Sequence, residues 1–494
     1  MNRSSSGGGK RAGSGPKSHS GRRNARKARK PDAPISLESA LERAMASVLS
    51  FEKPADRALS EFFRSNKNLG RRDRSMIADR VFDALRQRRL YAHLAESGAG
   101  SLPRRIALIA DDAQASISDS RHGARLMRAE PAEQRWLEQI SRIDRSTLPP
   151  AVRYSLPDWL MSSLQAQEIP GGFDALAQLL LKPAQLDIRA NLLKTDPAAL
   201  QTRLAEESVE AAPLHDETLA ATGFGLRVSG HPAFERLQAF TDGMFEVQDA
   251  GSQWVAHKAG ARRGQTVVDF CAGAGGKALA MAAMMRNSGQ IYACDTSLAR
   301  LSRLKPRLAR SGVTNVQPMH IESEHDKKLR RIWGRADLVL VDAPCSGSGT
   351  LRRNPDLKWR QQASDLPRLN LLQRSILDSA SKLLKPGGRL VYITCSLLAS
   401  ENEQLALAFE QGEAFKSAGL ERSALQIDTG VVDAKATSKS VDKGSQTGGS
   451  GKESTAADPA GVVAGATHDG FIRLWPHLHD SDGFFLASWQ RTLS

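Results

Sequence analysis

The 494 residues contain four cysteines, Cys271, Cys294, Cys345 and Cys395, each standing alone with no CxxC pair and no cluster of histidines beside it. Such thiols make neither a zinc site nor a disulfide framework, and no metal is expected. In a reducing, cytoplasmic compartment each is either packing or a reactive thiol. Two of them stand in informative places. ADLVLVDAPCSGSGT carries Asp342, Pro344 and Cys345 past the end of one apolar run, and GGRLVYITCSLLASENE carries Cys395 past the end of another. Apolar runs of this length between turn residues read as buried strands. In an open parallel sheet, the carboxyl ends of the central strands are where a ligand sits. Two thiols and an acid at such edges suit nucleophilic chemistry. A free cysteine is only about 3% thiolate at pH 7, so the site has to stabilise the anion.

A second constellation points to a nucleotide. QTVVDFCAGAGGKALAMAAMM reads as a strand ending at Asp269, a loop with Gly273, Gly275 and Gly276, and a helix opened by Lys277. This is the first βα turn of a doubly wound nucleotide-binding sheet, where glycines let a ligand approach the backbone and the helix N-terminus. Its spacing is neither GxGxxG nor that of a phosphate-binding P-loop. The next strand, QIYACD, ends in Asp295, where such folds place the acid that accepts from ribose hydroxyls. Asp295 also precedes TSLARLSRLKPRLAR, so it can cap that helix as well.

The elements that carry these residues follow two other regions. From 36 to 96, apolar residues recur at three- and four-residue spacing in SLESALERAMASVLSF, ADRALSEFFRSN and RRDRSMIADRVFDALRQRRLYAHLAE. The first helix starts either at Ser36 as N-cap or one turn later, with Ser39 and Glu42 as a capping box. Arg71, Arg72, Arg74, Arg86, Arg88 and Arg89 give this part a basic surface, which is either a solvated face or an RNA contact. Between 154 and 260, LDIRANLLK, GLRVSG and MFEVQD read as strands. TDPAALQTRLAEE, capped by Thr195 or Asp196, and HPAFERLQAF read as helices. A small α/β module follows from that alternation.

The charge is unevenly spread. Residues 1–34 hold ten Lys/Arg against Asp32 alone and so contribute +9 of the net +15. Rich in Gly and Ser, this segment is expected to be a disordered cationic arm, either phosphate-attracting or merely solubilising. The tract from about 429 to 467, rich in Gly, Ser, Ala and Lys, is expected to be a disordered insertion. No stretch approaches the roughly 18 to 20 apolar residues of a membrane helix, and the N-terminus lacks a leader's apolar core. A soluble, cytoplasmic monomer is expected. With 40% hydrophobic residues, a chain of this length makes two or three domains.

Six segments, VQDAGSQWVA (247–256), DFCAGAGGK (269–277), ACD (293–295), DAPCSGSGTLRRNPDLKW (342–359), YITCSLLASENE (392–403) and DGFFLASW (482–489), together resemble the Sun/Nop (RsmB-like) family of RNA cytosine-5 methyltransferases. The resemblance implies an α/β fold: a Rossmann-like class I methyltransferase domain, mostly parallel and doubly wound, over 246–494. Before it come a small RNA-binding α/β module at 151–245 and a helical, NusB-like RNA-binding domain at 35–150. It implies S-adenosylmethionine as cofactor, held by Cys271, Ala272, Gly273, Ala274, Gly275, Gly276, Lys277, Asp295, Arg300 and Asp342. RNA is the implied partner, rRNA rather than tRNA.

The implied reaction explains two thiols and an acid. C5 of cytosine is too poor a nucleophile to attack a methyl sulfonium directly, but a thiolate adding to C6 makes C5 enamine-like. By resemblance Cys395 attacks, Asp342 meets the charge at N3 as a general acid, and Cys345 serves as the release residue and general base. The rival assignment makes Cys345 the nucleophile, because DNA cytosine-5 methyltransferases attack with a cysteine that follows proline, as Pro344-Cys345 does. A DNA methyltransferase and a non-catalytic RNA-binding assembly factor are the alternative functions. Arg352, Arg353, Lys358 and Trp359 are either phosphate or base contacts or an ordinary surface loop. The chain departs from the family pattern at Gly273-Ala274, where alanine and proline are usual, and after the third strand. There an aspartate is usual at the adenine edge, and the sequence offers His320, Glu322 or Glu324 instead, without choosing among them.

Overall fold

A computed structural model describes residues 35–116, 124–423 and 470–493. The basic arm and the 429–467 tract lie outside them. Ser36 is the first N-cap, its hydroxyl accepting from Ser39 N at 3.2 Å, which selects the earlier of the two expected starts. Helices Leu37–Leu49, Ala55–Ser65, Arg71–Arg86, Arg88–Ala95, Leu102–Ala115 and Pro131–Ser141 bury their apolar stripes in one shared core around Leu41, Met45, Ile77 and Tyr91. The third expected helix is broken at Gln87, whose backbone leaves the helical region while its side chain binds Asp83 and Tyr91. A buried ion pair, Arg80 to Asp111 at 2.5 Å, ties two of these helices. Asp111 also accepts from the amides of Leu126 and Met127, so the pair's remaining lone pairs are satisfied.

The next helices, Asp158–Gln165 and Phe173–Leu179, were expected to belong with the α/β module. Instead Leu160, Leu164, Leu176 and Leu180 share a core with Leu351, Leu397, Leu398 and Trp475. The module's sheet begins at β1 (Leu186–Ala190) and continues with β2 (Ala211–Pro213), β3 (Gly225–Val228) and β4 (Phe245–Val247), in the order β2-β3-β1-β4, all antiparallel. β1 stops at Ala190 rather than running to 194. Asn191 accepts from Leu193 N and so turns the chain, while its amide binds Gly243 O and Ser311 O. Asp196 is the cap of helix Pro197–Glu206. HPAFERLQAF is not one helix. It forms a 3-10 turn, Phe234–Arg236, and a separate turn, Gln238–Thr241, whose first amides are taken by Glu207.

The third part is a sheet of β5 (Thr266–Asp269), β6 (Gln290–Asp295), β7 (Val316–His320), β8 (Ala336–Asp342), β9 (Leu384–Thr394), β10 (Leu420–Arg422), β11 (Ile472–Leu474) and β12 (Phe484–Arg491). Its order is β10-β12-β9-β8-β5-β6-β7, with β11 paired to β12. From β9 to β7 the neighbours are parallel; β12 joins β9 antiparallel and adds an antiparallel edge. The central parallel strands β5, β6 and β8 are largely apolar on both faces, because helices cover both. Chain order runs outward in opposite directions from β5 and β8, which makes their junction the switch point of the doubly wound sheet, the place where such folds open a ligand crevice. Among the described residues no helix is long and apolar enough to cross a membrane, and no group of three His, Cys, Asp or Glu is arranged to hold a metal ion.

Candidate active site

Beyond the carboxyl ends of β5, β8 and β9 the structure gathers Asp269, Lys277, Asp342, Cys345 and Cys395. Cys345 Sγ lies 3.4 Å from Cys395 Sγ, and one thiol donates to the other. The hydrogen bond to Cys395 and then burial push the Cys345 thiol well up. Lys277 Nζ donates to Asp342 Oδ2 at 2.6 Å and lies 5.3 Å from the Phe484 ring. Burial pulls the Lys277 ammonium down, but Asp342, Cys395 and Asp269 outweigh it and raise it above its usual value. An ammonium therefore stands beside an acid and a thiol, as anion stabilisation requires. Expected among the cofactor contacts, Lys277 is joined in the structure to Asp342.

The two cysteine loops are fixed by backbone and side-chain bonds. Gly349 N donates to Cys395 O at 2.9 Å, and Gly483 N to Gly349 O at the same distance. A Cβ at Gly349 would come 2.3 Å from Gly483 O, so only glycine permits this approach. Thr394 donates to Asn402 at 2.5 Å and Asn402 to Ser396 O at 2.9 Å, which closes the turn after Cys395.

The glycine loop stands next to this cluster. Gly275, at φ 81°, caps helix Gly276–Met284, and a Cβ there would meet Leu304 Cδ1 at 2.2 Å. Gly273, at φ 58°, has open space on its Cβ side and donates to Asp295 Oδ2 at 2.8 Å. Ala272 N binds Cys294 O and Ala274 O accepts from Arg307, so the loop is held by its backbone although the usual proline is missing. Asp295 Oδ1 accepts from Ser297 N at 2.7 Å and meets Arg300 at 3.2 Å. Ser297 is the side-chain cap of the following helix, so Asp295 is not that N-cap. Half-buried Cys271 packs against the apolar core beside the glycine loop and Cys294 lies fully within the core; burial raises both thiols, which makes neither a nucleophile.

Sequence reading passed over Asp269. It is fully buried at the end of β5, and no side chain donates to its carboxylate. Burial, then the charge of Asp342, pushes its carboxyl up to about 7. Only its strand-end position could have marked it. Of the residues after β7, Glu324 is taken by Ser375 at 2.6 Å and His320 faces Thr296 O at 3.3 Å, while Glu322 is exposed.

The segment after Cys345 corrects an expectation. Arg352 binds Asp480 at 2.9 Å and Pro183 O at 2.8 Å; Arg353 binds Asp249 at 2.7 Å and Asp482 at 2.9 Å. Lys358 Nζ donates to Arg86 O at 2.7 Å and Trp359 Nε1 to Leu85 O at 2.8 Å, with Arg88 stacked on the Trp359 ring. Arg86 in turn donates to Arg352 O. All four side chains are taken up by contacts within the protein, and Arg352 and Lys358 are buried, so this is not an ordinary surface loop. Lys358 and Trp359 form the seam between the helical part and the sheet, because the helix end at Leu85 and Arg86 offers free carbonyls, whereas Arg352 and Arg353 tie the loop to carboxylates at Asp249, Asp480 and Asp482.

The model of the family described as 16S rRNA methyltransferase RsmB/F matches residues 260–490. A Synechocystis protein named "Probable ribosomal RNA small subunit methyltransferase B" is 32% identical over 353 residues, 70% of this chain and 69% of that protein. A Bacillus subtilis protein of the same name is 32% identical over 53% of this chain and 57% of its own length. A solved structure described as a methyltransferase homolog from Pyrococcus horikoshii aligns with a TM-score of 0.53 at 25% identity, over 70% of this chain and all of that one.

Proposed function

The chain belongs to the RsmB/F family of small-subunit ribosomal RNA methyltransferases, and from that membership we propose that it methylates C5 of a cytosine in small-subunit rRNA, with Cys395 as nucleophile. The observation that carries this reading is the contact of two thiols, at 3.4 Å, beside the Lys277–Asp342 pair at the sheet's switch point. A binding protein has no need of that arrangement.

S-adenosylmethionine, when bound, supplies a methyl made electrophilic by its sulfonium. The residues present fit it. Asp295 Oδ2, which accepts only from Gly273 N, keeps a lone pair for a ribose hydroxyl, and Gly273 leaves open space beside it. Gly273 to Lys277, with Arg300 beyond Asp295, line that side.

Cys395 Sγ adds to C6 of a cytosine taken out of its stack. Negative charge moving onto the ring is met at N3 by Asp342, with the Lys277 ammonium as the hydrogen-bonded proton donor behind it. C5 then takes the methyl. Attachment to C6 takes away the Cys395 hydrogen bond that raises the Cys345 thiol; Cys345 then gives its proton to water, and its thiolate takes the C5 proton as the C6–S bond breaks and Cys395 leaves as a thiolate. The helical region and the four-stranded module serve, on this proposal, to hold RNA.

The test is tritiated-methyl transfer to RNA and to DNA, followed by bisulfite mapping of small-subunit rRNA from cells with and without the gene. Transfer to a cytosine that disappears from the map without the gene is expected. Transfer to DNA alone, or to no nucleic acid, overturns the reading.

A further inference from the structure

Between the two cysteine loops lies a carboxylate that the reaction above does not use. Glu401 is fully buried, at the end of the 3-10 turn Ala399–Glu401. Its oxygens are divided between the loops. Oε1 accepts from Ser346 N, the residue after Cys345, at 2.8 Å. Oε2 accepts from the hydroxyl of Ser396, the residue after Cys395, at 2.6 Å. Gln373 fastens the first side by donating to Oε1 at 3.0 Å and to Pro344 O at 2.9 Å. Ser346, Ser348 and Ser396 complete the link through hydroxyl contacts of 3.1 and 3.2 Å, and Ser348 accepts from Leu397 N at 2.8 Å. Every one of these donors points at an acceptor, and the one charged acceptor in the set is Glu401.

We propose that Glu401 is a positioning residue: by bridging Ser346 and Ser396 it holds Cys345 Sγ against Cys395 Sγ, so that release can follow attachment. The proposal rests on the two-thiol reading of the reaction. Charge-assisted bonds in a buried setting give the bridge its stiffness. Glu401 also adds, after the Cys395 hydrogen bond and burial, to the effects that keep Cys345 protonated.

Glu401→Gln tests it, because an amide keeps the size and one acceptor but presents a donor where a donor already stands. Full-length protein is incubated with S-adenosylmethionine and labelled target RNA, then run on denaturing gels, with Cys345→Ala as the reference for blocked release. Glu401→Gln is expected to accumulate covalent protein–RNA complex while methyl turnover falls about tenfold. Asp83→Asn, which alters a buried carboxylate of the helical part, controls for plain destabilisation and should accumulate none.

A second measurement needs no RNA. With glutathione disulfide, one active-site thiolate displaces glutathione to form a mixed disulfide. The other thiolate then displaces the second glutathione and closes a Cys345–Cys395 disulfide, at a rate that reports how close the sulfurs are held. Closure should be about tenfold slower in Glu401→Gln. Wild-type closure together with wild-type release overturns the role of Glu401. If Cys345→Ala holds no complex, it is the reading of Cys345 that fails, and the closure rate alone decides for Glu401, slowed supporting it and unchanged overturning it.

Discussion

Cys345 Sγ and Cys395 Sγ are 3.4 Å apart although their strands, β8 and β9, are joined through a long crossover helix. The distance is too long for a disulfide, which needs about 2.05 Å, and short enough for a thiol to donate to its neighbour. The surroundings of the pair are asymmetric: its neighbour's hydrogen bond and burial push the Cys345 thiol up, and Cys395 has an ammonium, Lys277, among its charged neighbours.

That asymmetry separates the two cysteine variants. Cys395→Ala should give neither methylated RNA nor a covalent complex, whereas Cys345→Ala should attach to RNA and release it slowly. Denaturing gels should show a retarded band for Cys345→Ala alone. The reverse pattern transfers the attack to Cys345.

Asp295 holds Gly273, Ser297 and Arg300 at once. Asp295→Ala should therefore weaken S-adenosylmethionine binding by roughly 1 to 3 kcal/mol, the loss of charge-assisted hydrogen bonds. Unchanged affinity in titration calorimetry would remove the ribose role.

Asp269 predicts a pH dependence of stability. Its carboxyl titrates at about 7 in the folded chain against 3.8 ordinarily, so below about pH 4 both states are protonated and it costs nothing. As pH rises to 7 the unfolded chain loses a proton the folded one keeps, and stability falls, by an amount on the order of a few kcal/mol. Above 7 the loss is complete. Denaturant melts of cofactor-free Asp269→Asn should lack this decline; parallel pH curves for variant and wild type would refute it.

Trp359 joins the helical part to the loop after Cys345. Trp359→Ala should cost about 3 kcal/mol, near the low end for removing a packed aromatic side chain. Limited proteolysis should then release the helical part as a separate fragment. Wild-type melting and cleavage would show that other contacts carry the seam.

Deleting residues 1–34 removes +9 of charge. RNA binding should weaken at low salt, and the log–log salt slope should fall by about 0.7 for each single-strand phosphate that the arm no longer neutralises. A slope equal to that of the full chain would make the arm a solubilising tail.

By itself the sequence determined what is local. Runs of apolar residues marked β5, β6, β8 and β9, and the residues just past them, Asp295, Asp342, Cys345 and Cys395, were legible as a site because a doubly wound sheet gathers strand ends. What faces what was decided by the tertiary structure. Lys277 meets Asp342 across 65 positions and Glu401 meets Ser346 across 55, because strand order, which no periodicity records, makes β5 and β8 neighbours and sets β9 beside them. The same limit explains Arg352, Arg353, Lys358 and Trp359. A run of cations looks alike in sequence whether it faces phosphates or the protein's own acceptors, and those acceptors are distant in the chain: Asp480 lies 128 positions from Arg352, and Arg86 lies 272 from Lys358 and meets it only once the helical part has docked.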